Sequence, residues 1–182
     1  MYLISAYFDE NTNKILKHLQ QRIADKTGND FMIRNNVMPH LTISAIEARN
    51  VDVLIPAFEK VCRGKLQPLE EKSVANNTIN IVSVGQLFPR VIYAAPVLNE
   101  YMMNLSISIY NEFATIPETN ISKFYQPYSW MPHITLGKCL DKEQMRQAFA
   151  VLQDLFMPID GRITKIGLST VNPYREVLSV EL

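Results

Sequence analysis

The residue pattern predicts an α+β fold built from a duplicated unit, and three observations carry that prediction. Short runs rich in branched and aromatic residues alternate with apolar residues at helical spacing. The alternation follows one order twice: strand, helix, strand, helix, strand, strand. A six-residue motif, Met-Pro-His-aliphatic-Thr-aliphatic, occurs once in each half. No Gly-rich or Ser-rich linker divides the chain, so residues 1–182 are expected to form one domain, with related lobes at approximately 1–88 and 89–182.

In the first half, Tyr2–Phe8 reads as a strand. A helix is expected from about Asn11–Asn13, with Ile15, Leu16, Leu19 and Ile23 on one side and Gly28 as its stop. Leu41–Ala45 reads as a strand reached through Pro39. Asn50 suits the cap of a second helix bearing Leu54, Phe58 and Val61, where Pro56 is tolerated only in the first turn. Lys65–Val74 and Thr78–Leu87 follow as strands separated by Asn76–Asn77.

In the second half, Arg90–Val97 reads as a strand and Glu100–Phe113 as a helix. A polar loop, Ile116–Tyr128, leads to the strand Ile134–Gly137. Asp141 caps the clearest helix, with Gln144 completing a capping box and Leu140 and Met145 placed as a hydrophobic staple. Its apolar face runs through Met145, Ala148, Phe149, Leu152, Leu155 and Phe156. Asp160–Gly161 turns the chain into the strands Ile163–Val171 and Val177–Leu182. In both halves about 40 residues separate the start of the first strand from the motif histidine.

An apolar content of 47% suits a globular core, and 18 basic residues balance 18 acidic ones. A protein coating long nucleic acid carries a basic excess, so the balance favours a small nucleotide or a single RNA end. Cys62 and Cys139 form no close pair and read as free thiols suited to a reducing compartment. The opening MYLISAYFDE lacks the features of a signal peptide, and no apolar run reaches bilayer-spanning length. A cytoplasmic protein is expected, with no membrane association and no obligate protein partner.

The chemistry is carried by Met38-Pro39-His40-Leu41-Thr42-Ile43 and Met131-Pro132-His133-Ile134-Thr135-Leu136. Two accidental matches to Pro-His-x-Thr alone have a chance of order 10⁻⁵ at ordinary composition. Strand alternation sets His40 and Thr42 on one face and Leu41 and Ile43 on the other, and His133 and Thr135 likewise. If a pseudo-twofold relates the halves, a phosphate between the pairs meets two imidazoles and two hydroxyls. A neutral imidazole takes a proton from the nucleophile and an imidazolium gives one to the leaving oxygen, as its pKa near 6.5 allows. The threonine hydroxyls hold the non-bridging oxygens. The chemistry calls for no metal or cofactor. Zinc generally takes at least three protein ligands, and no His-Glu-x-x-His or cysteine pair supplies them.

Paired Pro-His-x-Thr segments in a chain of this size resemble the 2H phosphoesterase superfamily, which includes the 2′,5′ RNA ligase-like proteins and cyclic nucleotide phosphodiesterases of RNA ends. The resemblance implies a bilobed α+β fold whose antiparallel sheets line a central cleft. It also implies His40 and His133 as the catalytic pair, Thr42 and Thr135 as phosphate-binding hydroxyls, and activity on 2′,3′-cyclic phosphates, 2′-5′ linkages or related esters. The reading favoured here is hydrolysis of a nucleotide or RNA-end 2′,3′-cyclic phosphate. The alternatives are 2′-5′ ligation or phosphodiesterase action, and a nucleotide-binding regulatory module with little turnover.

Tyr128 and Trp130, the aromatics nearest His133 in a cluster with Phe124 and Tyr125, are candidates for stacking on a base, against the commoner reading as core. Ser44 falls on the His40 face by alternation and is a candidate cleft donor. Lys138 is turned away from the His133 face by the same rule, and Arg90 and Arg175 read as surface residues. His18 reads as a surface residue of the first helix. The Ile116–Tyr128 loop is either a lid or a plain connection.

Overall fold

The computed structural model describes residues 1–65, 77–171 and 174–182. Its elements run β1 (Tyr2–Phe8), α1 (Glu10–Thr27), α2 (Phe31–Arg34), β2 (Leu41–Glu47), α3 (Ile55–Lys65), β3 (Thr78–Leu87), β4 (Val91–Pro96), α4 (Glu100–Phe113), β5 (Asn120–Ile121), β6 (Ile134–Lys138), α5 (Lys142–Leu155), β7 (Ile159–Val171) and β8 (Tyr174–Glu181). The α+β class is therefore as expected. Most of the strand expected at Lys65–Val74, and Asn76, lie outside the described residues.

Local chemistry sets the helix ends. Asp9, two residues before the expected start, caps α1 by accepting from the Thr12 amide at 2.9 Å and the Thr12 hydroxyl at 2.8 Å. Gly28 ends it at φ 69°, a left-handed conformation natural to glycine. The capping box of Asp141 and Gln144 opens α5 as its sequence indicates. Asn50 instead organises the turn before α3, accepting from the Asp52 amide. Pro56 is the second residue of α3, where a missing amide costs no helical hydrogen bond.

All strand pairings are antiparallel, in the order β1-β2-β6-β4-β3-β7-β8, with β5 on the outer part of β2. Because β1 also pairs with β7, six strands form a circuit. The pairings cross the sequence halves freely: β3 pairs with β4 and β7, and β2 with β6. The helices also pack across the halves, α1 with α5 and α3 with α4. One continuous sheet thus joins the two motif copies.

The apolar face of that sheet carries Ile4, Ala6, Phe8, Leu41, Ile92, Ala94 and Ile134, all buried. Leu16, Leu19 and Ile23 of α1 and Ala148 and Leu152 of α5 belong to the same cluster. At roughly 1.5–3 kcal/mol per buried large apolar side chain, this layer supplies the main driving force of the fold. The other face of β1, β2, β4 and β6 carries the motif residues.

Each motif strand contains a β-bulge just after its threonine. On β2 the register steps from Ser5↔Thr42 to Ile4↔Ser44, leaving Ile43 as the extra residue. On β6 it steps from Tyr93↔Thr135 to Ile92↔Gly137, leaving Leu136 extra. A bulge resets side-chain alternation beyond it, and two expectations change as a result. Ser44 stands opposite Ile4 rather than on the Thr42 face. Lys138 stands opposite Val91, two residues from Tyr93, and so returns to the motif face.

Candidate active site

β2 and β6 meet at the two motifs, where Leu41 pairs with Ile134. Carried one residue either way, that register sets His40 opposite Thr135 and Thr42 opposite His133. Opposed residues of an antiparallel pair share a face with Cβ atoms about 4.5–5.5 Å apart. The four residues expected from the sequence therefore form one compact group, with each histidine beside the threonine of the other motif.

Both imidazoles are oriented in the same way. Nδ1 of His40 lies 2.7 Å from the Met38 carbonyl oxygen, and Nδ1 of His133 lies 2.9 Å from that of Met131. A carbonyl only accepts, so each Nδ1 carries hydrogen and donates it. In the neutral ring Nε2 is then the bare acceptor nitrogen, and in the charged ring it is a donor. The intervening Pro39 and Pro132 hold the extended backbone that makes this contact local.

The threonine carbonyls next to the bulges are also treated alike. The buried Trp130 indole donates to the Thr42 carbonyl at 3.0 Å, and the buried Gln20 amide of α1 donates to the Thr135 carbonyl at 3.1 Å. A bulge disrupts its ladder locally, and a side-chain donor satisfies the exposed acceptor. Trp130, a stacking candidate by sequence, lies in the apolar core at 7% exposure and braces the first motif strand instead.

Two tyrosines that sequence reasoning missed face the histidines. The Tyr7 ring lies 6.2 Å from the His40 ring, tilted by 45°, and the Tyr93 ring lies 5.6 Å from His133 in an edge arrangement at 63°. Each packs over a glycine of the neighbouring strand: a Cβ on Gly85 would overlap the Tyr93 phenol, and one on Gly167 would press on the Tyr7 ring at 3.0 Å. The Tyr7 hydroxyl hydrogen-bonds that of Tyr174 at 2.8 Å, and Lys165 sits 4.8 Å from the Tyr7 ring centroid while pairing with Glu176 at 3.0 Å. Burial, foremost, and Tyr174 push the Tyr7 phenol well above its ordinary pKa, so it stays neutral. Their signal in the sequence was faint: each is an aromatic on the first strand of its half. Gln20 was legible as a polar residue on the apolar stripe of α1.

Burial lowers the pKa of His40, and the nearby positive groups His133 and Lys138 lower it further against the opposing hydrogen bond to Met38. The His133 charge is thus felt at His40, as expected of two groups facing one site.

The remaining candidates lie apart. Tyr128 is 84% exposed at φ 66° and borders a surface depression with Tyr110 and Asn111. Ser44 is buried with its hydroxyl unpartnered among the described residues, on the Ile4 side. Arg90 donates to the carbonyls of Cys139 and Leu140, Arg175 pairs with Thr170 on the outer strand, and His18 is exposed on α1. The Ile116–Tyr128 segment is partly woven into the sheet, through β5 and the bond from the Ser122 amide to the Ala45 carbonyl. Among the described residues no helix is long and apolar enough to cross a membrane.

A model of the 2′-5′ RNA ligase superfamily matches residues 18–172, and the chain belongs to that superfamily, the 2H phosphoesterases. Among solved structures, Usb1 of Kluyveromyces marxianus is similar at 9% identity and TM-score 0.48, over 100% of this chain and 97% of that one. The structure of the same protein with uridine monophosphate gives 13% identity and TM-score 0.46 over the same shares. No curated protein matches significantly.

Proposed function

We propose that this chain is a metal-independent phosphodiesterase that opens a 2′,3′-cyclic phosphate on a nucleotide or RNA end, with His40 and His133 as its acid–base pair. One observation carries the reading: the β2–β6 pairing at Leu41 and Ile134 brings both Pro-His-x-Thr motifs to one face, each histidine with Nδ1 held by a local carbonyl and no Nε2 partner among the described residues. Superfamily membership supports phosphodiester chemistry at that face.

In this mechanism Thr42 and Thr135 donate to the non-bridging oxygens and hold the phosphate between the rings. One Nε2 accepts a proton from water as its oxygen attacks phosphorus. The other Nε2–H protonates the departing ribose oxygen, and the P–O bond to that oxygen breaks. His40 suits the base role, because burial favours its neutral form. Each role is typically worth about 10²–10⁴ in rate. Tyr7 and Tyr93 pack beside the rings and position them.

The name of the 2′-5′ RNA ligase superfamily favours one second reading. With a ribose hydroxyl in place of water, the same two proton transfers form or break a 2′-5′ linkage.

The test is hydrolysis of the four nucleoside 2′,3′-cyclic monophosphates in EDTA by wild type, His40→Ala and His133→Ala. Turnover that survives EDTA and collapses in both variants is expected. Full activity in either variant overturns the two-histidine mechanism. Absence of wild-type turnover, with activity on 2′-5′ oligonucleotides, favours the second reading, and nucleotide binding without any turnover favours a regulatory module.

A further inference from the structure

Lys138 was set aside by strand alternation, and the bulge at Leu136 brings it back. Its partner across the ladder is Val91, which shares a face with Tyr93, the residue opposite Thr135. Lys138 therefore lies two β4 residues beyond Thr135, roughly 6–7 Å along the strand. His40 is on the opposing strand at that end of the site, and its basicity registers the Lys138 charge.

The ammonium has no carboxylate partner among the described residues. It is exposed and held 5.8 Å from the ring centroid of Phe31, on α2, in a cation–π contact. Among the described residues, the other lysine held over an aromatic of the motif face, Lys165 over Tyr7, is paired with Glu176. The position equivalent to Lys138 after the first motif is Ala45, so only one of the two motif strands carries a cation at this place.

We infer that Lys138, supported by Phe31, forms a subsite for a second phosphate next to the reacting one, so that the preferred ligand is a nucleotide carrying two phosphates. This rests on the phosphodiesterase reading of the His40–His133 face. A cyclic phosphate at the end of an oligonucleotide has such a neighbour on the preceding linkage, whereas a cyclic mononucleotide has none. The one-sided cation also gives the substrate a direction: the chain extends past His40 and Lys138, not past His133 and Ala45. A lysine in such a place acts as a point charge on phosphate.

Calorimetric binding of a nucleoside 3′-monophosphate and the matching 3′,5′-bisphosphate to wild type, Lys138→Gln and Lys138→Arg tests this. Wild type is expected to prefer the bisphosphate by about tenfold, the scale of one hydrogen bond to a charged group, and to lose that preference as salt rises. Lys138→Gln should bind the two within about twofold of each other, and Lys138→Arg should keep the preference. Equal binding of the two ligands by wild type, no binding of either, or an undiminished preference in Lys138→Gln overturns the inference. Cyclic-phosphate hydrolysis by the same wild-type preparation separates the two readings. Turnover without the bisphosphate preference removes only the subsite, and the preference without turnover removes only the reaction.

Discussion

The two halves of the site repeat one device with different surroundings. In both, a proline-preceded histidine donates Nδ1–H to the carbonyl two residues back, a tyrosine packs on its ring, and a bulge follows the threonine. The His40 half is closed: Tyr7 is buried, tied to Tyr174 and covered by Lys165, and Thr42 is 8% exposed beside the buried Trp130. The His133 half is open: Tyr93 reaches only Met131 Sδ, at 4.0 Å, and is partly exposed. Matching motifs therefore have differently packed neighbours around two half-buried imidazoles. Under the proposed mechanism, this difference is the physical basis for giving the two imidazoles opposite proton-transfer roles.

The strongest way to break this comparison is to remove both histidines. If the rings act as a pair, each alanine variant loses about 10²–10⁴ in kcat, and the double variant falls little below the worse single one. Steady-state rates that multiply across the two substitutions would show independent roles.

The braces come next. Trp130→Phe keeps a ring but leaves the Thr42 carbonyl buried without its donor, and should destabilise the fold by about 1–3 kcal/mol. Gln20→Leu does the same to the Thr135 carbonyl, with a smaller loss because that half is more open. Urea midpoints check the order, and equal losses would erase the closed–open distinction.

The glycines sharpen the comparison through activity. Gly85→Ala displaces the Tyr93 phenol, whose hydroxyl has only a long bond to Met131 Sδ among the described residues, and should lower kcat with little change in the urea midpoint. Gly167→Ala meets Tyr7, which is pinned by Tyr174, so strain replaces movement and stability should fall by about 1–3 kcal/mol, as overpacking does.

The smallest effect is on pH. The His40 pKa is lowered on folding, so the unfolded chain binds its proton first. Its contribution to stability is complete above the ordinary value near 6.5 and is lost as pH falls through the depressed folded value. Denaturation midpoints between pH 7.5 and 5 (an interval chosen to bracket that ordinary value) should fall less steeply in His40→Gln than in wild type. Parallel slopes would mean that burial does not separate His40 from a solvated imidazole.

Much of this was legible in the sequence where the physics is local. Period-2 and helical apolar patterns located β1, β4, α4 and α5, and the capping chemistry of Asp141 and Gly28 fixed two helix ends. The motif itself determined the identity of His40, Thr42, His133 and Thr135 and the local Nδ1 contact that frees each Nε2. Tertiary pairing decided the rest. A bulge is a property of two strands together, so alternation along one strand placed Ser44 and Lys138 on the wrong faces. Tyr7 and Tyr93 meet the histidines only through registers between strands distant in sequence. Whether an imidazole is closed in or open depends on what the remaining strands lay over it, and no window of sequence contains that information.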